Sequence, residues 1–163
     1  MKRKSHVISL ACLVALFLNP AHTSAEVSEC PVTIADNSAI TFDTPLKTNG
    51  FMGWHGSNQL AALIPSNGKW YFMGPEHNYR NKFWWAHESY DASAEPRPPI
   101  TISAKRLDAP ADPVYRDNAT HGRGIDSKWQ AMLIGMEFPT AGCWEVTGRY
   151  HEHSLTMVFQ VGE

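Results

Sequence analysis

The sequence predicts an all-β protein, with residues 26–163 folded as a single antiparallel β-sandwich. Three observations indicate this. The last third alternates apolar and polar residues with a period of two, clusters of Asn, Gly and Pro separate short β-prone runs, and no helix of three or more turns is indicated. The 138 residues after position 25 also match the usual size of a domain with one core.

The first 25 residues are expected to be a cleaved secretory signal peptide. Lys2, Arg3 and Lys4 form a basic start, residues 7–18 are apolar, and small residues end at Ala25. The apolar run is shorter than the ~20 residues that span a membrane, and no later run is longer. We therefore expect a secreted or periplasmic protein with no transmembrane segment in the mature chain.

The charge of the mature chain argues against nucleic acid as a partner. Without its three basic residues at positions 2–4, the chain has 11 Lys and Arg against 16 Asp and Glu, a formal charge of −5. A surface of this sign repels phosphate backbones and anionic membranes.

Short strands separated by turns are predicted through the first half of the mature chain. The β-prone runs are 32–35, 39–42, 59–64, 69–73, 82–87 and 100–107. Asp36 to Ser38 predicts a turn between the first two runs. Asn67-Gly68 offers the positive φ of a tight turn, and so predicts that 59–64 and 69–73 pair as a hairpin.

Residues 108–128 are predicted to be a long irregular loop. They contain Pro110, Pro113, Gly122 and Gly124 among polar residues and show no sustained apolar period. Loops of this length inside compact domains usually carry function or move.

The last third has the clearest strand pattern. Residues 129–138, 143–150 and 155–161 are predicted as three successive antiparallel strands. Their predicted core-facing side chains are Met132, Ile134, Met136 and Phe138, then Trp144, Val146 and Tyr150, then Leu155, Met157, Phe159 and Val161. Alternation also places Cys143, Glu145 and Arg149 on the outer face.

The segments 138–147 and 155–161 resemble the closing strands of bacterial immunoglobulin-like and fibronectin-like sandwiches. In those domains a Pro-x-x-Gly-x-aromatic turn leads into the next-to-last strand, and Trp144 holds the aromatic place. The chain is also similar to uncharacterised exported proteins with a Gly-Cys-Trp-Glu segment near the C-terminus. The resemblance covers about a fifth of the chain and implies an immunoglobulin-like topology. It implies little about function, because this fold has many unrelated functions.

Two cysteines, Cys30 and Cys143, remain in the mature chain, since Cys12 lies in the signal peptide. An even count in an exported protein predicts one disulfide. Two free thiols are the alternative.

The only histidines with ligand-like spacing are His151 and His153. At positions i and i+2 of a strand, two imidazoles share a face and could bind one metal ion. Both also lie where the last hairpin must turn, so a solvated polar turn is the alternative. No other cofactor is indicated.

Six tryptophans in the mature chain suggest either a binding platform or an aromatic core. Exposed indoles form flat apolar surfaces of the kind that sugar-binding sandwiches use. Trp84 and Trp85 are neighbours and must point to opposite faces of one strand. We therefore predict a ligand surface formed by this pair and by the adjacent loop residues Arg116, His121 and Arg123. The alternative for the indoles is that they fill the core. The alternative for the loop is that it packs over one edge of a sheet.

A nucleophilic serine is not supported by the motif around Ser57. Gly53-Trp54-His55-Gly56-Ser57 lacks the second glycine of a nucleophile elbow, and it is predicted to be a flexible turn. The sequence thus favours a non-catalytic binding or adaptor module for a protein or glycan. A secreted hydrolase with an unrecognised site, or a small metal-binding protein, are the other hypotheses.

Overall fold

The computed structural model describes residues 29–44, 50–71, 79–123 and 130–162, and this part of the chain contains ten strands and no helix. The strands are β1 Met52–Ser57, β2 Leu60–Pro65, β3 Lys69–Trp70, β4 Tyr79–Ala86, β5 Thr101–Arg106, β6 Tyr115–Arg116, β7 Thr120–Arg123, β8 Gln130–Phe138, β9 Gly142–Tyr150 and β10 His153–Val161. The predicted all-β fold is confirmed.

The strands form two sheets that pack as a sandwich. Sheet A has the order β1-β2-β4-β8-β6, and β7 also pairs with β8. Sheet B has the order β3-β10-β9-β5. All pairs are antiparallel except that of β10 with β3, which is parallel.

The core between the sheets is built by the alternation that the sequence shows. Twenty buried residues from both sheets form one cluster. It contains every predicted core-facing residue of β8 and β9, and Met157, Phe159 and Val161 of β10, while Leu155 packs at its margin. Trp70 and Phe83 stack at its centre, with ring centroids 4.2 Å apart.

The predicted hairpin of 59–64 with 69–73 is wrong. β2 pairs with β1 and β4 in sheet A, whereas β3 crosses to sheet B and pairs with β10. Gly68 does adopt a positive φ of 68°, but the turn carries the chain between the two layers. An Asn-Gly turn sets only the local direction of the chain. It does not determine how β3 pairs, because the partner strand β10 lies about ninety positions further along the chain.

Further segments differ from their predictions, and among them the described runs 32–35 and 39–42 form no strand. Residues 53–57 belong to strand β1 instead of a flexible turn, and β1 forms a hairpin with β2. Within the predicted loop 108–128, β6 and β7 pair with β8. Strands of two and four residues are too short to show a period, so the sequence pattern does not reveal them.

The N-terminal segment 29–35 is extended and lies along β10. The backbone N–H of Thr33 donates to the carbonyl oxygen of Val158 (2.8 Å), and the Val158 N–H donates to Thr33 Oγ1 (2.9 Å). The predicted disulfide is present, joining Cys30 to Cys143 with Cα atoms 5.5 Å apart. Cys143 is absent from the inter-sheet core, yet it is buried.

A second, smaller apolar cluster covers the outer face of sheet A. Trp54, Ala61, Leu63 and Ala86 are buried there. Ile40, Phe42, Met52 and Trp84 pack against them and are half-buried. Sheet A therefore carries apolar side chains on both faces, and its outer face is only partly covered.

Candidate ligand-binding cleft

A cleft of about 650 Å³ opens where β2 and β4 separate. The two strands pair only from Ala61–Leu63 to Trp84–Ala86. Beyond Leu63, β2 stays paired with β1 as far as Pro65 and the chain then crosses to β3 in sheet B, while β4 continues along β8. The fork between them is lined by residues 50–52 at the start of β1 and by residues of β2, β3, β4 and the Pro65–Gly68 turn, and its volume lies within the ~300–1,000 Å³ of typical ligand sites.

Three aromatic side chains line this cleft and are not fully buried. Phe51 is 83% exposed and Tyr71 is 55% exposed, which is unusual for large apolar rings. Trp84 is half-buried on the outer face of β4. Together they present flat apolar rings beside a concave surface.

The indole of Trp84 is held by close contact with β7. A Cβ atom placed on Gly122 would lie 2.2 Å from Cζ3 of Trp84, so only glycine leaves room for the ring. This close approach fixes the indole against sheet A without covering it completely.

The cleft also has polar and charged side chains in its lining. Asn67 and Asn81 contribute amides, and Lys69 and Lys82 contribute ammonium groups. Asn67 Oδ1 accepts from the Lys69 N–H (3.0 Å), and Asn67 Nδ2 lies 3.5 Å from the Tyr71 hydroxyl. Asn81 Oδ1 accepts from the Lys82 N–H (2.7 Å). Both amides are therefore oriented by the backbone.

The structure distributes the predicted site residues over several places. Trp84 lines the cleft, whereas Trp85 is fully buried between the sheets and has no surface for a ligand. Arg116 borders a recess of about 110 Å³ beside β5. His121 borders another recess and its Nδ1 lies 2.9 Å from the Pro96 carbonyl oxygen. Arg123 ends β7, and its side chain lies outside the described part of the structure.

The sequence pattern missed Phe51, Tyr71 and the two lysines. These residues meet because the chain crosses from sheet A to sheet B between β2 and β3, and the sequence predicted a hairpin at that place. The available signal was the density of aromatic residues around the Pro65–Gly68 turn, where Trp70 and Tyr71 follow closely.

A second group of polar side chains lies at the β9–β10 turn. The Glu95 carboxylate contacts two side chains of this group. Its Oε2 accepts from the Tyr150 hydroxyl (2.6 Å), and its Oε1 lies 3.4 Å from His151 Nε2. The Tyr90 hydroxyl donates to the Glu95 carbonyl oxygen (3.0 Å). Burial raises the pKa of Tyr90 to about 12 and also raises that of Tyr150, where the Glu95 hydrogen bond adds to the effect. Both phenols therefore stay protonated and serve as donors.

The two predicted metal-ligand histidines approach different neighbours. His151 lies in the turn with a φ of 50° and faces Glu95, whereas the ring of His153 lies 5.6 Å from that of His87. His87 Nδ1 accepts from the Ser89 N–H (3.1 Å). In the described ranges, no group of three or more His, Cys, Asp or Glu residues is placed to hold a metal ion.

Ser57 lies at the β1–β2 turn. Its Oγ accepts from the Gln59 N–H at 3.3 Å, which is a turn contact.

Comparison of the chain with models of protein families, with curated proteins and with solved structures found no match. Among the described residues, no helix is long and apolar enough to cross a membrane.

Proposed function

We propose that this protein is an exported, non-catalytic binding module that holds its ligand in the β2–β4 cleft. The observation that carries the proposal is the pair of rings, Phe51 and Tyr71, exposed at the rim of a concave, mostly apolar site. Exposed apolar rings that border a cavity are typical of binding sites.

Export is supported by the basic and apolar N-terminal pattern together with the Cys30–Cys143 disulfide, a bond typical of oxidising compartments. The proposed place of action is the periplasm or the extracellular space. An immunoglobulin-like relationship is likewise a proposal, supported by Trp144, which is buried after the Gly142 turn and donates from Nε1 to the Thr140 carbonyl oxygen (3.1 Å).

A non-catalytic role is supported by the composition of the cleft. Among the described residues, its lining contains two lysines, two asparagines and a serine, but no histidine, cysteine or carboxylate. General acid–base catalysis most often uses histidine or carboxyl groups. The lining is suited to stacking and hydrogen bonding.

The test is a binding screen against soluble oligosaccharides and peptides, read by thermal shift and confirmed by calorimetry. Phe51→Ala and Tyr71→Ala should each weaken the binding of any hit several-fold while leaving the melting temperature of the free protein nearly unchanged, since both rings are exposed. Tyr115→Ala is the matched control, because Tyr115 is 58% exposed on β6 and does not line the cleft.

Binding that survives both cleft substitutions would contradict the proposal. So would a complete screen without any hit that depends on these rings.

A further inference from the structure

Resting on the proposed function, we infer that the ligand of the cleft is an acidic glycan, a chain of sugar rings that bear carboxylates. The cleft is lined by positively charged side chains. Lys69 and Lys82 are exposed and border the cleft, and none of the described residues that line it is acidic. Within the described residues, neither lysine forms an ion pair, although Lys105, Arg80 and Arg106 each pair with a carboxylate.

This positive cleft contrasts with the chain as a whole. The mature protein has five more acidic than basic residues, yet the described residues that line the cleft include two cations and no anion. Local charge of the opposite sign to the overall charge selects a ligand group, here an anion, and guides it to the site.

The uncharged groups of the cleft fit a sugar ring. A pyranose has an apolar C–H face, which can lie on an aromatic ring, and hydroxyl groups, which pair with amides. Phe51, Tyr71 and Trp84 supply rings, and the backbone-oriented amides of Asn67 and Asn81 supply donors and acceptors.

An acidic peptide fits the same lining less well. Peptide anchors are usually held in desolvated pockets at the centre of an interface. Here the two rim rings are more than half exposed, and they offer flat faces beside open solvent. The geometry therefore favours a ligand that stacks on the exposed rings, and it disfavours a ligand that inserts a side chain into a pocket.

The experiment uses three acidic oligosaccharides with different backbones, namely oligogalacturonate, alginate oligomers and hyaluronan oligomers. Each is compared with its carboxyl-reduced, neutral counterpart by calorimetry at low and high salt. At least one acidic form should bind at least about fivefold more tightly than its neutral counterpart, as expected for two exposed ion pairs. The preference should shrink at high salt, because exposed charges are screened.

The variant Lys69→Gln/Lys82→Gln should remove this preference, because it removes both cations of the cleft. Lys105→Gln is the control for charge, since Lys105 lies on β5 and pairs with Glu145 at 3.0 Å.

The outcomes separate the two claims. Equal binding of acidic and neutral forms, lost in Tyr71→Ala, would overturn the acidic ligand and support the binding cleft. If no acidic form binds, the inference of an acidic glycan is likewise overturned. In that case, a peptide hit from the broader screen that depends on Tyr71 would show that the cleft binds protein. Only the absence of every Phe51- or Tyr71-dependent hit would overturn the proposed function itself.

Discussion

Trp144 illustrates how a single residue joins the local turn to the core. It is 1% exposed, its ring centroid lies 5.3 Å from that of Phe138, and its indole N–H donates back to Thr140. The side chain therefore fixes the β8–β9 corner while it fills the space between the sheets.

We expect Trp144→Ala to lower the free energy of unfolding by roughly 3–5 kcal/mol, because truncating a buried large aromatic leaves a cavity. Trp144→Phe should be milder, since it keeps most of the apolar contact and loses the hydrogen bond. Urea denaturation followed by far-UV circular dichroism measures both. Equal stability of Trp144→Ala and the parent would contradict the core assignment.

The titration of His87 makes the free energy of unfolding depend on pH. Burial is the largest influence and lowers the pKa of His87 below the ordinary 6.5. The nearby imidazoles of His153 and His151 lower this pKa further, whereas Glu88 and Glu152 raise it. Between pH 6.5 and the folded-state pKa, the unfolded chain binds more protons at this position. The contribution of His87 therefore lowers the free energy of unfolding as pH falls through that window.

We expect the His87 ring to titrate below 6.5 in an NMR pH titration of the folded protein. His87→Gln should flatten the decline in unfolding free energy between pH about 7.5 and about 5.5, because it removes the titrating group. A His87 that titrates at or above 6.5, with the same decline in the variant, would refute this account.

Among the elements, the passage from β2 to β3 has the greatest effect on the site. It moves the chain from one sheet to the other and opens the fork that forms the cleft. The N-terminal segment packs on this passage, since a Cβ atom on Gly68 would lie 2.5 Å from Cβ of Val32.

Gly68→Ala should destabilise the protein by about 1–3 kcal/mol, through backbone strain at positive φ and through overlap with Val32. Gly50→Ala is the matched control. Gly50 also has a positive φ, of 82°, but no described residue lies within 4 Å of the added Cβ. The control should cost less in chemical denaturation, and equal losses would show that the contact with Val32 is unimportant.

The elements also show what the sequence can predict. β8, β9 and β10 each span nine residues, so alternation assigns their faces correctly. β3 has two residues and a distant partner, and no local pattern predicts where it pairs. The cleft depends on that pairing, which explains why the sequence pointed to Trp84 but not to Tyr71 or Lys69.

At the scale of the whole molecule, the disulfide connects the N-terminal segment to the start of β9. Cys30 and Cys143 are 113 positions apart, and the bond holds the N-terminal segment against sheet B. A crosslink over so long a loop restricts the unfolded chain strongly.

We expect Cys30→Ala/Cys143→Ala to lower the unfolding free energy by about 4–5 kcal/mol in the chain-entropy model. Reduction of the parent with dithiothreitol should produce a similar loss, which distinguishes the crosslink from the side-chain change. A double variant as stable as the oxidised parent would contradict this view.

The central claim is that the β2–β4 cleft is the ligand site, and NMR titration of the ¹⁵N-labelled protein tests it most directly. With the tightest-binding oligosaccharide as the probe, the largest shifts should fall on the Trp84 indole N–H and on the amides of Asn67, Lys69, Tyr71 and Lys82. Shifts centred on Glu95, His151 and His153 with an unperturbed cleft would contradict the claim and move the site to the β9–β10 turn.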